Sequence, residues 1–205
     1  MHPNVALRLA FVAWHVFAGF AGTSLVYRWR FGRSPNVVVG AGARAERSRH
    51  RSIQLAMGLV SVPWAVAVVV PVLSPVFASH AVGRPLVSWP GEWGWIVAGA
   101  GHVAMVASQL AMGPALRVGL DTSGPMAPVA LVTEGPFRWS RHPVYVGSVV
   151  FLIGEWIWNP NLACALSVVL LALGFDGLAR EEDRYLRGRF GEQHAAWTER
   201  VRRYG

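Results

Sequence analysis

Charged residues are scarce in this chain, and lysine is absent from it. Only 15% of the 205 residues are charged, whereas 53% are hydrophobic; a soluble globular domain has about 25% charged residues. This composition argues against a soluble domain and indicates an integral membrane protein, for which hydropathy is the appropriate guide. The single cysteine, Cys164, lies in an apolar run. No disulfide can therefore form within the chain, and a cysteine-based metal site is not expected.

Acidic residues are also few, so the 19 arginines leave a formal net charge of +8. The arginines cluster beside apolar segments, in residues 28–51, 117–141 and 180–203. Positively charged loops tend to stay in the cytoplasm, and anionic lipid headgroups explain such clusters more simply than nucleic acid does. We therefore expect membrane lipids as partners and no nucleic-acid binding.

Apolar segments long enough for membrane helices recur along the chain, since a crossing needs about 20 residues. A tight turn at 158–161 would join the last two into a helical hairpin. Five crossings place all three arginine clusters on one side, with a cytoplasmic C-terminus. The fold expected is all-α and membrane-integral, with about five transmembrane helices, a C-terminal hairpin and a cytoplasmic amphipathic helix. The predicted spans are 5–27, 53–77, 93–112, 143–158 and one that opens at 162–175.

Two regions are predicted from this organisation. Residues 1–112 would form an N-terminal group of three membrane helices with a basic cytoplasmic loop, and residues 113–205 would form the functional core. The spans contain few ionisable residues and no sign of an inverted repeat, which argues against a transporter. A prokaryotic inner membrane is the expected location.

The polar stretch 131–147 separates two apolar segments and combines turn residues with charged and aromatic ones. Gly135-Pro136 predicts a turn, and Pro143 suits the first turn of the next helix, because its missing N–H would be unpaired there. Free N–H groups at a helix start favour anions. We interpret this stretch as a polar loop that presents three side chains to an anionic group, namely Arg141, His142 and Tyr145.

A charged stretch, 180–191, continues the last apolar segment beyond the membrane. Within and after it, apolar residues recur at helical spacing and define one face of an amphipathic helix, interrupted near Gly191. That face could pack over the polar loop or lie on the lipid surface. The residues of this face are Leu186, Phe190, Trp197 and Val201.

Together the two stretches resemble the isoprenylcysteine carboxyl methyltransferase family and its phospholipid methyltransferase relatives. The first carries Leu-Val-Thr-x-Gly-Pro-Phe-Arg-x-x-Arg-His-Pro-x-Tyr-x-Gly from 131 to 147. The resemblance covers about residues 113–203. The second stretch matches the closing motif of the family at Glu182, Asp183, Leu186, Phe190, Gly191, His194, Trp197, Val201 and Arg203.

This resemblance implies a pocket for S-adenosylmethionine between the polar loop and the C-terminal helix, entered from the cytoplasm, with a lipophilic acceptor entering from the bilayer. Arg141 and His142 at a helix start suit the carboxylate of the cofactor, and Glu182 suits its ammonium or ribose hydroxyls. No metal is required. The cofactor-binding residues implied are Ala130, Leu131, Val132, Phe137, Arg141, His142, Tyr145, Glu181 and Glu182.

One position departs from the family pattern. Enzymes of this family that methylate the isoprenylcysteine carboxylate have an arginine four residues before the equivalent of Glu182, where this chain has Leu178. Arg180 lies about 200° further round the helix and would face another way. The methyl acceptor therefore stays open, and Asp176, Arg180 and Glu155 are the candidates for a different acceptor site with a catalytic role.

Alternative functions remain open on the sequence. Within the methyltransferase class, the acceptor could be a phospholipid amine or a thiol. The chain could also be a non-catalytic membrane protein of the same fold that binds a lipid or a partner. The oligomeric state is open as well.

Overall fold

The computed structural model describes residues 23–32, 92–113, 130–158 and 160–205, with positions 10 and 13 as isolated points. Within these ranges every regular element is helical and no strand occurs, which confirms the all-α class. The predicted second span, most of the first and most of the basic loop between them lie outside the described residues, so the count of five spans stays a prediction. The helices are α1 (Thr23–Phe31), α2 (Glu92–Ala111), a short 3-10 helix (Gly135–Arg138), α3 (Pro143–Trp158), α4 (Leu162–Phe190) and α5 (Glu192–Arg200).

Two of these helices are long and apolar enough to cross a membrane, at Trp93–Ala111 and Leu162–Phe190. Helix α3 is apolar but has 16 residues. Bulky apolar side chains such as Val103, Leu170 and Leu173 are at least half exposed, as expected for surfaces that face lipid. The 29-residue α4 is about 43 Å long, more than the roughly 30 Å hydrocarbon core. A helix of this length that crosses a bilayer has room for its charged end outside the hydrocarbon core.

Helices α2 and α3 pack against each other at backbone distance, because glycines face each other along their contact. A Cβ atom added to Gly154 would lie 2.6 Å from the carbonyl oxygen of Gly94, and one added to Gly147 would lie 2.6 Å from the amide nitrogen of Met105. Small residues allow membrane helices this close approach. The predicted third span, 93–112, agrees with α2 to within one residue, and its small residues include Gly101, which faces Gly147.

Helices α3 and α4 form the predicted hairpin, and α3 has the predicted bounds of Pro143 to Trp158. Ala98 of α2, Phe151 and Leu152 of α3 and Leu171 of α4 form a buried apolar cluster, which ties the hairpin to α2. The buried Asn161 begins α4: its side-chain oxygen accepts a hydrogen bond from the Cys164 amide at 2.9 Å.

Replacing Asn161 with alanine should remove this cap and destabilise the hairpin by about 1 kcal/mol, within the usual range of about 0.5–2 kcal/mol. The measurement is thermal unfolding in detergent, followed with a thiol-reactive dye, because Cys164 is the single cysteine and is fully buried. Asn161→Asp keeps a capping oxygen and serves as the control. An equal loss of stability in both variants would contradict the capping role.

Helix α4 continues without a break from the apolar segment through the charged stretch, as the sequence predicts, and ends at Gly191. This glycine has a φ of 49°, in the left-handed region that glycine occupies without a Cβ penalty. The chain turns there into α5, whose His194 and Trp197 are buried. The turn directs α5 back toward the polar loop, and the apolar residues Trp197 and Val201 pack there on Phe137.

Candidate active site

The polar loop is held in place by a buried aromatic residue. Gly135, at a φ of 63°, starts the short 3-10 helix, and Phe137 within that helix is buried against Trp197 and Val201. The Trp197 indole N–H also donates to the Phe137 carbonyl oxygen at 3.3 Å. The loop is therefore fixed from the side of α5, and it delivers residues 140–142 to the start of α3.

His142, at the start of α3, lies between two carboxylates of α4. Its Nδ1 is 3.2 Å from a Glu182 carboxylate oxygen, and its Nε2 is 3.1 Å from Asp183 Oδ1. The imidazole is almost fully buried. Two acids of the chain itself therefore lie at this helix start, where the sequence predicts an anionic group.

Glu182 is oriented by two aromatic neighbours. The Tyr145 hydroxyl donates to the second Glu182 oxygen at 2.6 Å, and the Tyr145 ring stacks between His142 and Phe175, at centroid distances of 5.7 and 5.3 Å. The Glu182 side chain keeps one-third of its surface exposed. Its carboxylate is therefore held in a defined direction while it stays accessible to a ligand.

Asp183 accepts from more partners than any other group of the site. Arg141 donates to Oδ1 at 2.9 Å, and Arg203 donates to Oδ2 at 2.8 Å; His142 contacts Oδ1 as well. We call these four residues the Asp183 cluster. The buried His194 lies further off, with Nε2 3.9 Å from Oδ1. The cluster joins the loop, α4 and the end of the chain.

The tail segment, residues 201–205, runs alongside the loop and completes the cluster. The Arg141 amide donates to the Arg202 carbonyl at 3.0 Å, and the His142 amide donates to the Arg203 carbonyl at 3.3 Å. The Ser140 hydroxyl donates to the same Arg203 carbonyl at 2.9 Å. Arg203 therefore holds the loop with its backbone and Asp183 with its side chain.

Burial and charge act in opposite directions on His142. Burial by itself lowers its pKa, but the hydrogen bonds to Asp183 and Glu182 and the charges of both acids outweigh it, so the pKa is raised. For His194 burial dominates and lowers the pKa, which favours the neutral ring. The two buried histidines of the site thus differ: the pKa shift of His142 favours its charged form, and that of His194 favours its neutral form.

The predicted cofactor residues fall into two groups in the structure. Arg141, His142, Tyr145 and Glu182 come together as described. Leu131 and Val132 pack instead on the apolar cluster around Phe137, and Ala130 is exposed. Glu181 is buried and pairs with Arg184 at 2.6 Å, so the contacts of this acid are separate from those of Glu182.

The predicted catalytic residues do not form one group. Asp176 and Arg180 pair at 2.7 Å, and the Tyr204 hydroxyl donates to the second Asp176 oxygen at 2.6 Å. Glu155 is buried near the turn of the hairpin, roughly 15–20 Å along the helix axis from Asp176. Asp176 and Arg180 are in contact with each other, and the catalytic role of all three residues stays a prediction. Leu178 is buried and Arg180 is exposed, as their different helix faces predict.

Sequence reasoning placed Asp183, His194 and Arg203 in the closing motif without assigning them a role, and it missed Tyr204. The signal for Asp183 was available, since it is an acid next to Glu182 in the matched motif. The role of Arg203 could not be predicted from the neighbouring sequence, because its partners lie 20 and 61–63 residues away.

Comparisons with known proteins match much of the sequence that forms this site. A family model described as phospholipid methyltransferase matches residues 92–193, which include α2, the loop, the hairpin and Glu182. Over these residues, just under half of the chain, the protein is similar to the phospholipid methyltransferase family. The resemblance to isoprenylcysteine methyltransferases is confirmed as well, because curated relatives of that name match part of the chain.

Three relatives show how far the similarity extends. Protein-S-isoprenylcysteine O-methyltransferase B of Arabidopsis thaliana is 36% identical over 73 residues, 35% of this chain and 36% of the relative. The human protein-S-isoprenylcysteine O-methyltransferase is 36% identical over 72 residues, 35% of this chain and 25% of the relative. The cobalt-zinc-cadmium resistance protein CzcN of Cupriavidus metallidurans is 36% identical over 63 residues, 30% and 29% of the two chains. The matches thus span about a third or less of each relative.

Proposed function

We propose that this protein is an integral membrane methyltransferase of the isoprenylcysteine methyltransferase kind that uses S-adenosylmethionine on a lipophilic or small acceptor. The observation that carries the proposal is the meeting of the two motifs: His142 and Tyr145 of the first motif both contact Glu182 of the second. The family match covers this region, and the apolar helices supply a membrane setting.

The residues of the site fit the chemistry of the cofactor. S-adenosylmethionine carries an ammonium, a carboxylate and ribose hydroxyls. Glu182 is an oriented, partly exposed acceptor for the ammonium or the hydroxyls. Arg141 Nε is buried without a hydrogen-bond partner among the described residues, so it retains a donor for the carboxylate, although its Nη1 is engaged by Asp183. Apolar contacts and backbone groups would come from Ala130, Leu131, Val132 and Phe137. Glu181, which pairs with Arg184, would lie outside the pocket.

The bound cofactor supplies an activated methyl group, so the protein must mainly position the acceptor and exclude water. Glu182, held by Tyr145 and His142, orients the polar end of the cofactor. The apolar cluster around Phe137 shields the loop from solvent. No side chain needs to remove a proton unless the acceptor carries one on the atom that is methylated.

The acceptor site is proposed on the side of Asp176 and Arg180, which lie six and two residues before Glu182 on α4. The buried Leu178 provides no charge for a substrate carboxylate, so an acceptor other than the prenylcysteine carboxylate is favoured, with phospholipid amines and thiols as the alternatives. We propose a multi-pass protein of a prokaryotic inner membrane, with this site on the cytoplasmic side.

Calorimetric titration of the detergent-purified protein with S-adenosylhomocysteine tests the proposal. We expect micromolar binding by the wild type and at least a tenfold loss in Glu182→Ala and in His142→Ala, because a hydrogen bond to a charged group contributes about 1.5–3 kcal/mol. Glu199→Gln, an exposed acid on α5, should bind like the wild type. A folded wild-type protein that does not bind would rule out the proposed function and leave a lipid- or partner-binding protein of this fold.

A further inference from the structure

His142 has a hydrogen-bonding environment that constrains its protonation. Each ring nitrogen faces a carboxylate oxygen, Glu182 at 3.2 Å and Asp183 at 3.1 Å. A neutral imidazole has one donor and one acceptor nitrogen, whereas an imidazolium has two donors. If the ring were neutral, one nitrogen lone pair would face a carboxylate lone pair at hydrogen-bond distance. Both contacts are favourable only when both nitrogens carry a proton.

The two acids are not equivalent in their surroundings. Asp183 is buried and is held by Arg141 and Arg203 as well as by His142, and its side chain is 8% exposed. Glu182 is one-third exposed, and besides His142 it contacts the uncharged Tyr145 hydroxyl. Asp183 is thus fixed within the protein, and Glu182 is the acid left to meet a ligand.

We propose that His142 is held as a doubly protonated imidazolium between the two acids, and that Asp183 is the positioning residue that, through this imidazolium, orients Glu182 for ligand binding. Arg203 fixes Asp183 from the tail segment. His142 then carries no free lone pair at the working pH and does not serve as a general base. A methyl acceptor at this site must reach it already deprotonated, or lose its proton to another group.

The charged and titratable groups that face His142 come from every element packed around it. The two arginines balance the charges of the two acids, so the protonated His142 leaves one net positive charge. This charge favours an anionic ligand group nearby. The groups are Glu182 and Asp183 of α4, Arg141 of the loop, Tyr145 of α3, His194 of α5 and Arg203 of the tail segment.

The direction of the pH dependence follows from the raised pKa of His142. The paired imidazolium contributes fully to holding Glu182 in place below the pKa of free histidine, about 6.5. Its contribution is lost as the pH rises through the higher pKa of the folded protein. Affinity for S-adenosylhomocysteine should therefore fall on the alkaline side of that pKa.

Nitrogen NMR of the detergent-solubilised protein, labelled in its seven histidines, tests the proposal without any ligand. The His142 signals are assigned as those missing in His142→Gln. We expect the titration midpoint of His142 in the wild type to lie above that of free histidine, with both ring nitrogens protonated below it. In Asp183→Asn the titration midpoint should move downward, while Glu199→Gln leaves it unchanged. A wild-type midpoint at or below that of free histidine would overturn the proposal, even if Asp183→Asn does not fold.

The second readout rests on the proposed function. Asp183→Asn should weaken S-adenosylhomocysteine binding roughly tenfold although Asp183 does not touch the ligand, and Arg203→Gln should weaken it less. A folded Asp183→Asn protein that keeps both the wild-type midpoint and the wild-type affinity would refute the positioning role. Absence of binding by the wild type would refute the proposed function instead, and the NMR result would still decide the state of His142.

Discussion

Gly154→Ala is expected to lower the stability of the membrane core by about 3 kcal/mol, at the upper end of the usual range for overpacking. The added methyl group would lie 2.6 Å from the Gly94 carbonyl oxygen of α2, well inside van der Waals contact. Backbone atoms cannot rotate away as a side chain can, so the two helices must separate. Their separation would also disturb the contacts of Phe151 and Leu152 with Ala98 and Leu171.

Thermal unfolding followed by labelling of Cys164 measures this effect, with an expected decrease in midpoint of roughly 10 °C. The matched control is Gly99→Ala on α2, where an added Cβ meets nothing within 4 Å. Alanine is the better helix former, so the control should be as stable as the wild type or slightly more so. Equal stability of Gly154→Ala and Gly99→Ala would mean that α2 and α3 do not pack at backbone distance.

Trp197→Ala is expected to release α5 from the polar loop. Trp197 is 3% exposed, packs on Phe137 and Val201 and donates its indole N–H to the loop. Removing such a side chain costs about 3–5 kcal/mol. Since α5 leads directly into the tail segment, the contacts of Arg203 with Asp183 and Ser140 should weaken together with it, and S-adenosylhomocysteine binding should decrease.

Limited trypsin digestion measures the release, because Arg200 ends α5 and Arg202 and Arg203 follow it closely. Where the rate of cleavage follows the population of molecules in which α5 is released, cleavage should accelerate at least about a hundredfold. Trp139→Ala is the control. This tryptophan lies at the end of the 3-10 helix on which Trp197 packs, but it is 80% exposed. If Trp197→Ala resists trypsin as well as the control does, α5 is held by contacts other than this aromatic cluster.

Local patterns were sufficient for the helices of the C-terminal part. The apolar run bounded by Pro143 and a turn predicted α3 to the residue, and the charged stretch was expected to continue α4 until a break near Gly191. These features depend on properties that a short segment carries within itself: hydropathy over the length of a bilayer, a proline at the first turn and a glycine with positive φ.

The convergence of His142, Tyr145 and Glu182 was expected through resemblance, since Glu182 lies 37 or more positions from the other two. Spacing could not show which of the adjacent acids would meet the loop. Successive residues on a helix point about 100° apart, so the choice depends on the rotation of α4 about its axis. That rotation leaves Glu181 with Arg184 and places both Glu182 and Asp183 beside His142.

Composition and motif order thus indicated a helical membrane protein and the position of its polar loop, and the two motifs carried its resemblance to the isoprenylcysteine methyltransferases. The partners of Asp183 were decided by packing. The burial of Phe137 against Trp197 brings the loop and α5 together, and the turn at Gly191 returns the chain so that Arg203 reaches α4. Such contacts join segments that are distant in sequence, and their geometry arises from how the helices pack and not from any one segment.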